Sequence, residues 1–250
     1  MGGTRATPEA PNNLPHPLTS FIGRQEDIAA LERALATTRL LTLVGAGGCG
    51  KTRLALEVAA ASLHNMPDGV WWIELASLSD PALVVQTIAA TLQLAETSGE
   101  SLLDLVIRRL GLARCLLILD NCEHLVERCA QVAQTLLSAC PTLTILATSR
   151  ETLNVAGESV YAVQTLALPD ERGAIEAIGQ ADAVRLFTER ARAAAPDFAL
   201  TPQTTAATVA ICRRLDGLPL AIELAASRVR VLSPDAIAER LTSSIPLLTG

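Results

Sequence analysis

Aromatic residues are almost missing, with three Phe, two Trp and one Tyr in 250 residues. The core therefore has to be aliphatic, built from Leu, Ile, Val and Ala, of which Leu and Ala favour helix. Charged residues are also scarce, at 18% against 50% apolar, a balance that excludes global disorder. Positive charge is outweighed, leaving a net charge of −6. An acidic chain repels phosphate backbones at long range, so general binding to nucleic acid or anionic membrane is disfavoured, and any basic site must be a pocket and not a face. No apolar run approaches the length of a membrane span, and Met1 to Pro17 is polar and Pro-rich with no apolar stretch of the signal-peptide kind. The six cysteines, Cys49, Cys115, Cys122, Cys129, Cys140 and Cys212, form neither a CxxC pair nor a zinc spacing. Cys115 and Cys140 sit in or beside apolar runs, where a thiol packs as a small hydrophobe. A cytoplasmic protein with reduced thiols is expected.

What is present is a regular alternation. Residues 1–17, with Pro8, Pro11, Pro15 and Pro17, read as a flexible tail. Ile28, Leu31 and Leu35 then give helical spacing across Glu26 to Ala36. Short apolar runs follow at Leu40–Val44, Val70–Leu75, Cys115–Leu119 and Leu143–Ala147, with a weaker one at Ser159–Leu166. Helical patterns separate them, at Lys51–Leu63, from a start near Pro81, after the polar break Glu96-Thr97-Ser98-Gly99-Glu100, and at Leu125–Ala139. Apolar strands alternating with helices predict a parallel sheet covered on both faces. After Pro169 and Gly173 only helical patterns remain, near 181–194, 204–215, 220–231 and 234–241. The expected division is a tail (1–17), a nucleotide-binding α/β domain (18–168) and a small all-α domain (169–250).

Gly45-Ala46-Gly47-Gly48-Cys49-Gly50-Lys51-Thr52 matches GxxxxGK[ST] in full, between a strand and a helix. Glycines let several backbone N–H groups turn toward one phosphate, and the following helix adds its positive end. Lys51 places a charge on the β and γ phosphates, and the Thr52 hydroxyl is a magnesium ligand. Cys49 reads as a small residue that fits the loop, with a redox thiol as the alternative. Asp120 closes the apolar run Leu116-Leu117-Ile118-Leu119, at the strand end that faces a ligand crevice in a parallel sheet, where it could orient the metal. The next position carries Asn121 where many nucleoside triphosphatases have a carboxylate, and an amide can hold a water but cannot take its proton. Glu123 could orient that water, or it could simply favour a helix N-terminus. Hydrolysis is expected to be slow. Arg150 ends Thr148-Ser149-Arg150, where a guanidinium could reach a γ phosphate or could stand exposed in a turn. His124 reads as a surface or cap residue, and Pro219 in Gly217-Leu218-Pro219-Leu220-Ala221 as a helix start.

Taken in order, Leu18–Arg24, Gly45–Thr52 with Arg53-Leu54-Ala55, Leu116–Leu125, Ala147–Glu151 and Gly217–Ala226 resemble the signal-transduction ATPases with numerous domains (STAND), which include NB-ARC switches. The bacterial regulator branch is the nearest likeness. The resemblance implies an AAA+-type P-loop fold (ASCE division) with strand order 5-1-4-3-2 and a helical lid domain, the site lying between the two. It implies that Ile22, Gly23 and Arg24 lie near the adenine and ribose, that Pro219 packs on the adenine, that Arg150 is the first γ-phosphate sensor, and that Arg53 belongs with the nucleotide-binding residues. In this branch an Asn after the magnesium Asp is usual. It further implies ATP or ADP with Mg2+ as ligands, self-association of the full-length protein in the ATP state, and winged-helix, sensor and effector domains beyond about residue 245. No membrane partner is expected, nor nucleic acid for these residues. The function implied is a slow nucleotide-dependent switch controlling a larger regulator of transcription or defence. The alternatives are a fast ATPase of another P-loop class, against which Asn121 argues, and a DNA-binding regulator that keeps only the fold.

Overall fold

A computed structural model describes residues 10–95, 99–170 and 174–244. Residues 1–9 of the expected tail, Glu96-Thr97-Ser98 of the polar break, Gly173 at the expected boundary and the final residues 245–250 lie outside the described residues. The chain divides into two compact units. The first takes residues up to Thr19, Gln25–Gly45 and Lys51–Val163, and the second takes Ser20–Arg24, Ala46–Gly50 and everything from Gln164 onward.

The first unit is a five-stranded sheet with helices. Its strands are β1 (Leu40–Val44), β2 (Val70–Glu74), β3 (Leu116–Asp120), β4 (Thr144–Ser149) and β5 (Glu158–Ala162). All pairings are parallel and the order is β2-β3-β4-β1-β5, which is the expected 5-1-4-3-2 read from the other edge. Leu40 pairs with Ile145 and with Glu158, so β1 is flanked on both sides, and β3 and β4 are buried along their whole length. Strands covered on both faces need side chains that are apolar at every position, as Leu116-Leu117-Ile118-Leu119 is. β5 is an edge strand with alternately exposed residues, and it stops at Ala162, short of the expected Leu166. One further ladder bond, from the Val163 N–H to the Val44 carbonyl, ends the pairing, because β1 offers no carbonyl beyond its own C-terminus.

The helices of this unit are α1 (Gln25–Leu35), α2 (Lys51–Ser62), α3 (Leu83–Thr91), α4 (Leu102–Leu110) and α5 (Val126–Ala139). α3, α4 and α5 pack Val84, Ile88, Val106, Leu110, Val132 and Leu136 on one face of the sheet, against Ile73, Leu117, Leu119 and Ile145. Burying that many aliphatic side chains, at about 25 cal/mol per Å2, is the main force holding the unit. The expected flexibility of the tail does not extend to residues 11–13. The Pro11 carbonyl accepts the Val70 N–H, and the Asn13 amide both donates to the Trp72 carbonyl and accepts its N–H. The open edge of β2 supplies unpaired main-chain groups, and the tail satisfies them.

The second unit is all helical: α6 (Ile175–Gln180), α7 (Asp182–Ala194), α8 (Pro202–Arg214), α9 (Pro219–Ser227) and α10 (Pro234–Ser244). Phe187 is its fully buried centre, with its ring edge-on to Phe198 at 5.9 Å, among Ile211, Ile222 and Ala226. Pro202 and Pro219 each stand in the first turn of a helix, where a missing N–H costs nothing. α9 is shorter than the expected 220–231, since the chain tightens into a 3-10 turn at Arg228–Arg230. No helix among the described residues is long and apolar enough to cross a membrane.

Candidate functional site

In the first unit, Gly45 follows β1, and Lys51 and Thr52 open α2. Lys51 is buried at 7% exposure, and its Nζ donates to the Gly45 carbonyl at 2.9 Å. The Thr52 Oγ1 donates to Asp120 Oδ1 at 2.9 Å, across from the end of β3. Thr52 and Asp120 thus bring a hydroxyl and a carboxylate to one point. That is an all-oxygen donor pair of the kind a hard cation such as Mg2+ takes, so the residues present fit the expected metal.

A third residue completes this cluster, and motif reading gave it no role. Thr148, fully buried in β4, donates from Oγ1 to Asp120 Oδ1 at 2.6 Å and accepts the Asn121 N–H at 2.8 Å. It fixes both the carboxylate and the residue after it. The signal for it was the neighbouring-strand position: β4 pairs with β3, with Leu119 opposite Ala147, so the residue after Ala147 had to face the end of Asp120's strand. Asn121 itself is in the left-handed region at φ 71°, which Asn and Asp tolerate better than other side chains. Burial raises the Asp120 pKa above its ordinary value, with Glu74 and Glu123 pushing the same way, while the Thr148 and Thr52 donors pull it down.

Arg150 and Glu123 are brought to each other. Arg150 Nε lies 3.3 Å from Glu123 Oε1, with Arg150 67% exposed and Glu123 18%. The other Glu123 oxygen is buried without a hydrogen-bond partner. His124 sits at the surface, its ring 2.7 Å from the Leu78 carbonyl in the loop after β2. Arg53 turns its guanidinium to Thr19, meeting the hydroxyl at 2.9 Å and the carbonyl at 2.7 Å.

In the second unit, the loop segment Ala46–Gly50 and the segment Ser20–Arg24 pack with the helices. Within the loop the Cys49 N–H donates to the Ala46 carbonyl at 3.3 Å, and the Leu220 N–H, in the first turn of α9, donates to the Gly48 carbonyl at 3.2 Å. Gly48 has φ 77°, and a Cβ there would come within 3.0 Å of the Leu220 Cβ, so this position needs glycine on both counts. Pro219 lies beside Gly50, where an added Cβ would be 3.8 Å from its Cγ. Gly47 follows Ala46 in the turn. Arg24 donates to the Cys49 carbonyl at 2.7 Å and to the Gln164 carbonyl at 2.8 Å. Ile22 packs on the helical core, and Gly23, at φ 71°, abuts the Asp182 carboxylate. Arg190 fastens this segment, bonding the Ser20 carbonyl at 2.8 Å and the Glu223 carboxylate at 2.9 Å.

All six cysteines are reduced and buried. Burial pushes the Cys115 thiol to about 11 and the Cys212 thiol to about 12, so both are unreactive packing residues. Among the described residues no cluster of three His, Cys, Asp or Glu side chains could hold a metal.

The chain belongs to the AAA domain family, which matches residues 34–165, more than half of its length. A Mycobacterium tuberculosis protein named as an HTH-type transcriptional regulator is 45% identical over 216 residues, covering 86% of this chain and 23% of that protein. An uncharacterised protein of the same organism is 41% identical over 233 residues, covering 93% of this chain and 56% of that one. The chain therefore spans about a quarter to a half of the length of these curated relatives. Among solved structures, a signal transduction ATPase with numerous domains (STAND) with a tetratricopeptide repeat sensor, from Pyrococcus horikoshii, shares the fold. Its TM-score is 0.54 at 13% identity, with 97% of this chain and 34% of that one covered. The STAND-type P-loop resemblance read from the sequence agrees with these matches.

Proposed function

We propose that this chain is a nucleotide-dependent switch module, binding ATP or ADP with Mg2+ and hydrolysing ATP slowly. The observation that carries the reading is the meeting of Thr52, the last residue of a complete phosphate-loop motif, with Asp120 at the end of β3. The loop N–H groups, the N-terminus of α2 and Lys51 would take the phosphates. Thr52 and Asp120 would hold the metal, which would supply positive charge to offset that of the phosphates. Lys51, now on the Gly45 carbonyl, would exchange that neutral acceptor for a phosphate oxygen, a stronger charge-assisted bond. Asn121 would hold the attacking water without accepting its proton, which makes turnover slow. Triphosphate and diphosphate would stabilise different states of the chain, and only the difference in their affinities can switch it.

The relative named as an HTH-type transcriptional regulator supports a transcriptional output; self-association in the ATP form and a cytoplasmic location are part of the same proposal. Calorimetry with ATP and ADP in the presence of Mg2+ tests the site. Lys51→Ala should remove most affinity for both while leaving the circular dichroism spectrum intact, and unchanged affinity would refute the assignment. Steady-state turnover faster than about 1 per second, an ordinary enzymatic rate, would refute the switch.

A further inference from the structure

Three charged side chains are buried among the described residues: Lys51, Asp120 and Arg24. Burying a charge is costly unless the site uses it, so buried charges gather where a protein does its work. Lys51 and Asp120 have their place in the proposed function. Arg24, 9% exposed, has a different pattern of bonds. One guanidinium nitrogen, Nη2, donates to two main-chain carbonyls, those of Cys49 in the phosphate loop and of Gln164, while Nη1 is buried without a hydrogen-bond partner. Arg24 forms no ion pair with a carboxylate among the described residues.

We infer that Arg24 is a positioning residue of the phosphate loop: by gripping the Cys49 carbonyl it aims the Gly50 N–H at the phosphates, and it does not read the base. The inference rests on the nucleotide-binding reading above. In a planar trans peptide the C=O and the N–H point in opposite directions. The Cys49 carbonyl and the Gly50 N–H share one peptide, so a guanidinium holding the carbonyl from one side turns the N–H to the other. Gly50 has φ 93°, which glycine adopts without the steric penalty of a Cβ, so no side chain of its own fixes the orientation of this peptide. The preceding carbonyl, of Gly48, is held in the same manner by the Leu220 N–H. Two successive outward carbonyls of the loop are thus anchored, one by a side-chain cation and one by a helix N-terminus. Arg24 also takes the Gln164 carbonyl, so one guanidinium nitrogen ties the loop peptide to the segment that leads into the helices.

The experiment compares ADP with inorganic tripolyphosphate, which has no base or ribose, by calorimetry on the whole chain. Arg24→Met should weaken both ligands by the same factor, about tenfold or more, the effect of losing one charge-assisted hydrogen bond. Arg24→Lys can still reach one carbonyl and should fall between the two. Loss of ADP affinity with tripolyphosphate unaffected would show contact with the nucleoside and overturn the inference, as would wild-type affinity for both. If Arg24→Met does not fold, as judged by circular dichroism, the same comparison on Arg24→Lys decides. Wild-type protein and Lys51→Ala run alongside. Absence of binding in the wild type, or undiminished binding in Lys51→Ala, overturns the nucleotide-binding reading itself. Arg24→Met behaving as wild type while Lys51→Ala loses its ligand overturns only the role of Arg24.

Discussion

The Thr148 hydroxyl donates to Asp120 Oδ1 at 2.6 Å. Through its lone pairs the same oxygen accepts the Asn121 N–H at 2.8 Å. One side chain on β4 therefore holds both the carboxylate that would bind the metal and the left-handed residue that would face the water. Thr148→Val keeps the shape and removes the hydroxyl. It leaves the Asn121 N–H without its acceptor in a part-buried place, which costs up to about 1–3 kcal/mol. We expect a lower denaturant midpoint of that size, together with weaker Mg2+-dependent ATP binding. Thr148→Ser should recover most of both. A valine variant with unchanged metal dependence would show that Asp120 needs no such anchor.

Asp120 has the opposite pH behaviour to an ordinary structural carboxylate. Its pKa is raised by burial above the usual 3.8, so the ionised form is less favoured in the folded protein than in the unfolded chain. In the absence of ligand, the ionised carboxylate costs stability above the raised pKa, and the cost disappears as pH falls below the unfolded value. Asp120→Asn removes that cost. The variant should melt at a higher temperature than wild type at pH 7, with the gap closing at low pH. Metal-dependent binding runs the other way, because a cation needs the ionised form. Mg2+-dependent ATP affinity of the wild type should start to fall at a higher pH than an unperturbed aspartate would give. The asparagine variant should lose ATP affinity more than ADP affinity. Equal losses for the two nucleotides would count against the metal role.

The parallel strands, the phosphate loop and Asp120 were legible because each is a local pattern with a physical requirement: apolar runs for doubly covered strands, glycines for a curled loop, a carboxylate at a strand end; the order of the strands was implied only by the family resemblance. Thr148 was quoted within a motif but given no task, since its role arises from the pairing of β4 beside β3, a relation between residues about thirty apart. α6 lies between the expected boundary and the first helical pattern expected beyond it, and was not read as a helix, being only six residues long. The anchoring of Asn13 on β2 was hidden by the prolines around it, which signal irregular backbone without saying what that backbone touches. The bond from Arg24 to Cys49 joins two segments that no spacing rule connects.

Gly48 offers a test of the loop geometry. An alanine there must adopt φ 77°, which costs a non-glycine residue roughly 1–2 kcal/mol, and its Cβ must push back the Leu220 Cβ from 3.0 Å. Gly48→Ala should destabilise the protein by at least that strain and weaken nucleotide binding, whereas Leu220→Ala in the same background, which keeps the Cβ but removes the Cδ2 that would lie 3.2 Å from the new methyl, should restore a small part of the stability. Chemical denaturation of the single and double variants gives the coupling. Additive effects would mean that the two residues do not press on each other in solution.

Arg150 and Glu123 present a competition. Their ion pair is long at 3.3 Å, and Arg150 is largely exposed, so the pair contributes about 0–1 kcal/mol to stability. Arg150→Ala should leave the melting temperature nearly unchanged. If Arg150 senses a γ phosphate, it must leave Glu123 to do so, and a phosphate is a better partner for a guanidinium than a half-screened carboxylate. Removing Arg150 should then reduce the preference for ATP over ADP several-fold while ADP affinity holds. Glu123→Gln separates the remaining roles. It removes the charge that holds Arg150 back, so ATP affinity should rise modestly. It also removes the carboxylate nearest to Asn121 in sequence that could orient water, so single-turnover hydrolysis should slow. A variant that binds ATP more tightly and hydrolyses it at the wild-type rate would make Glu123 a restraint on the sensor and nothing more. Slower hydrolysis with unchanged affinity would make it a water-orienting group whose contact with Arg150 carries no weight.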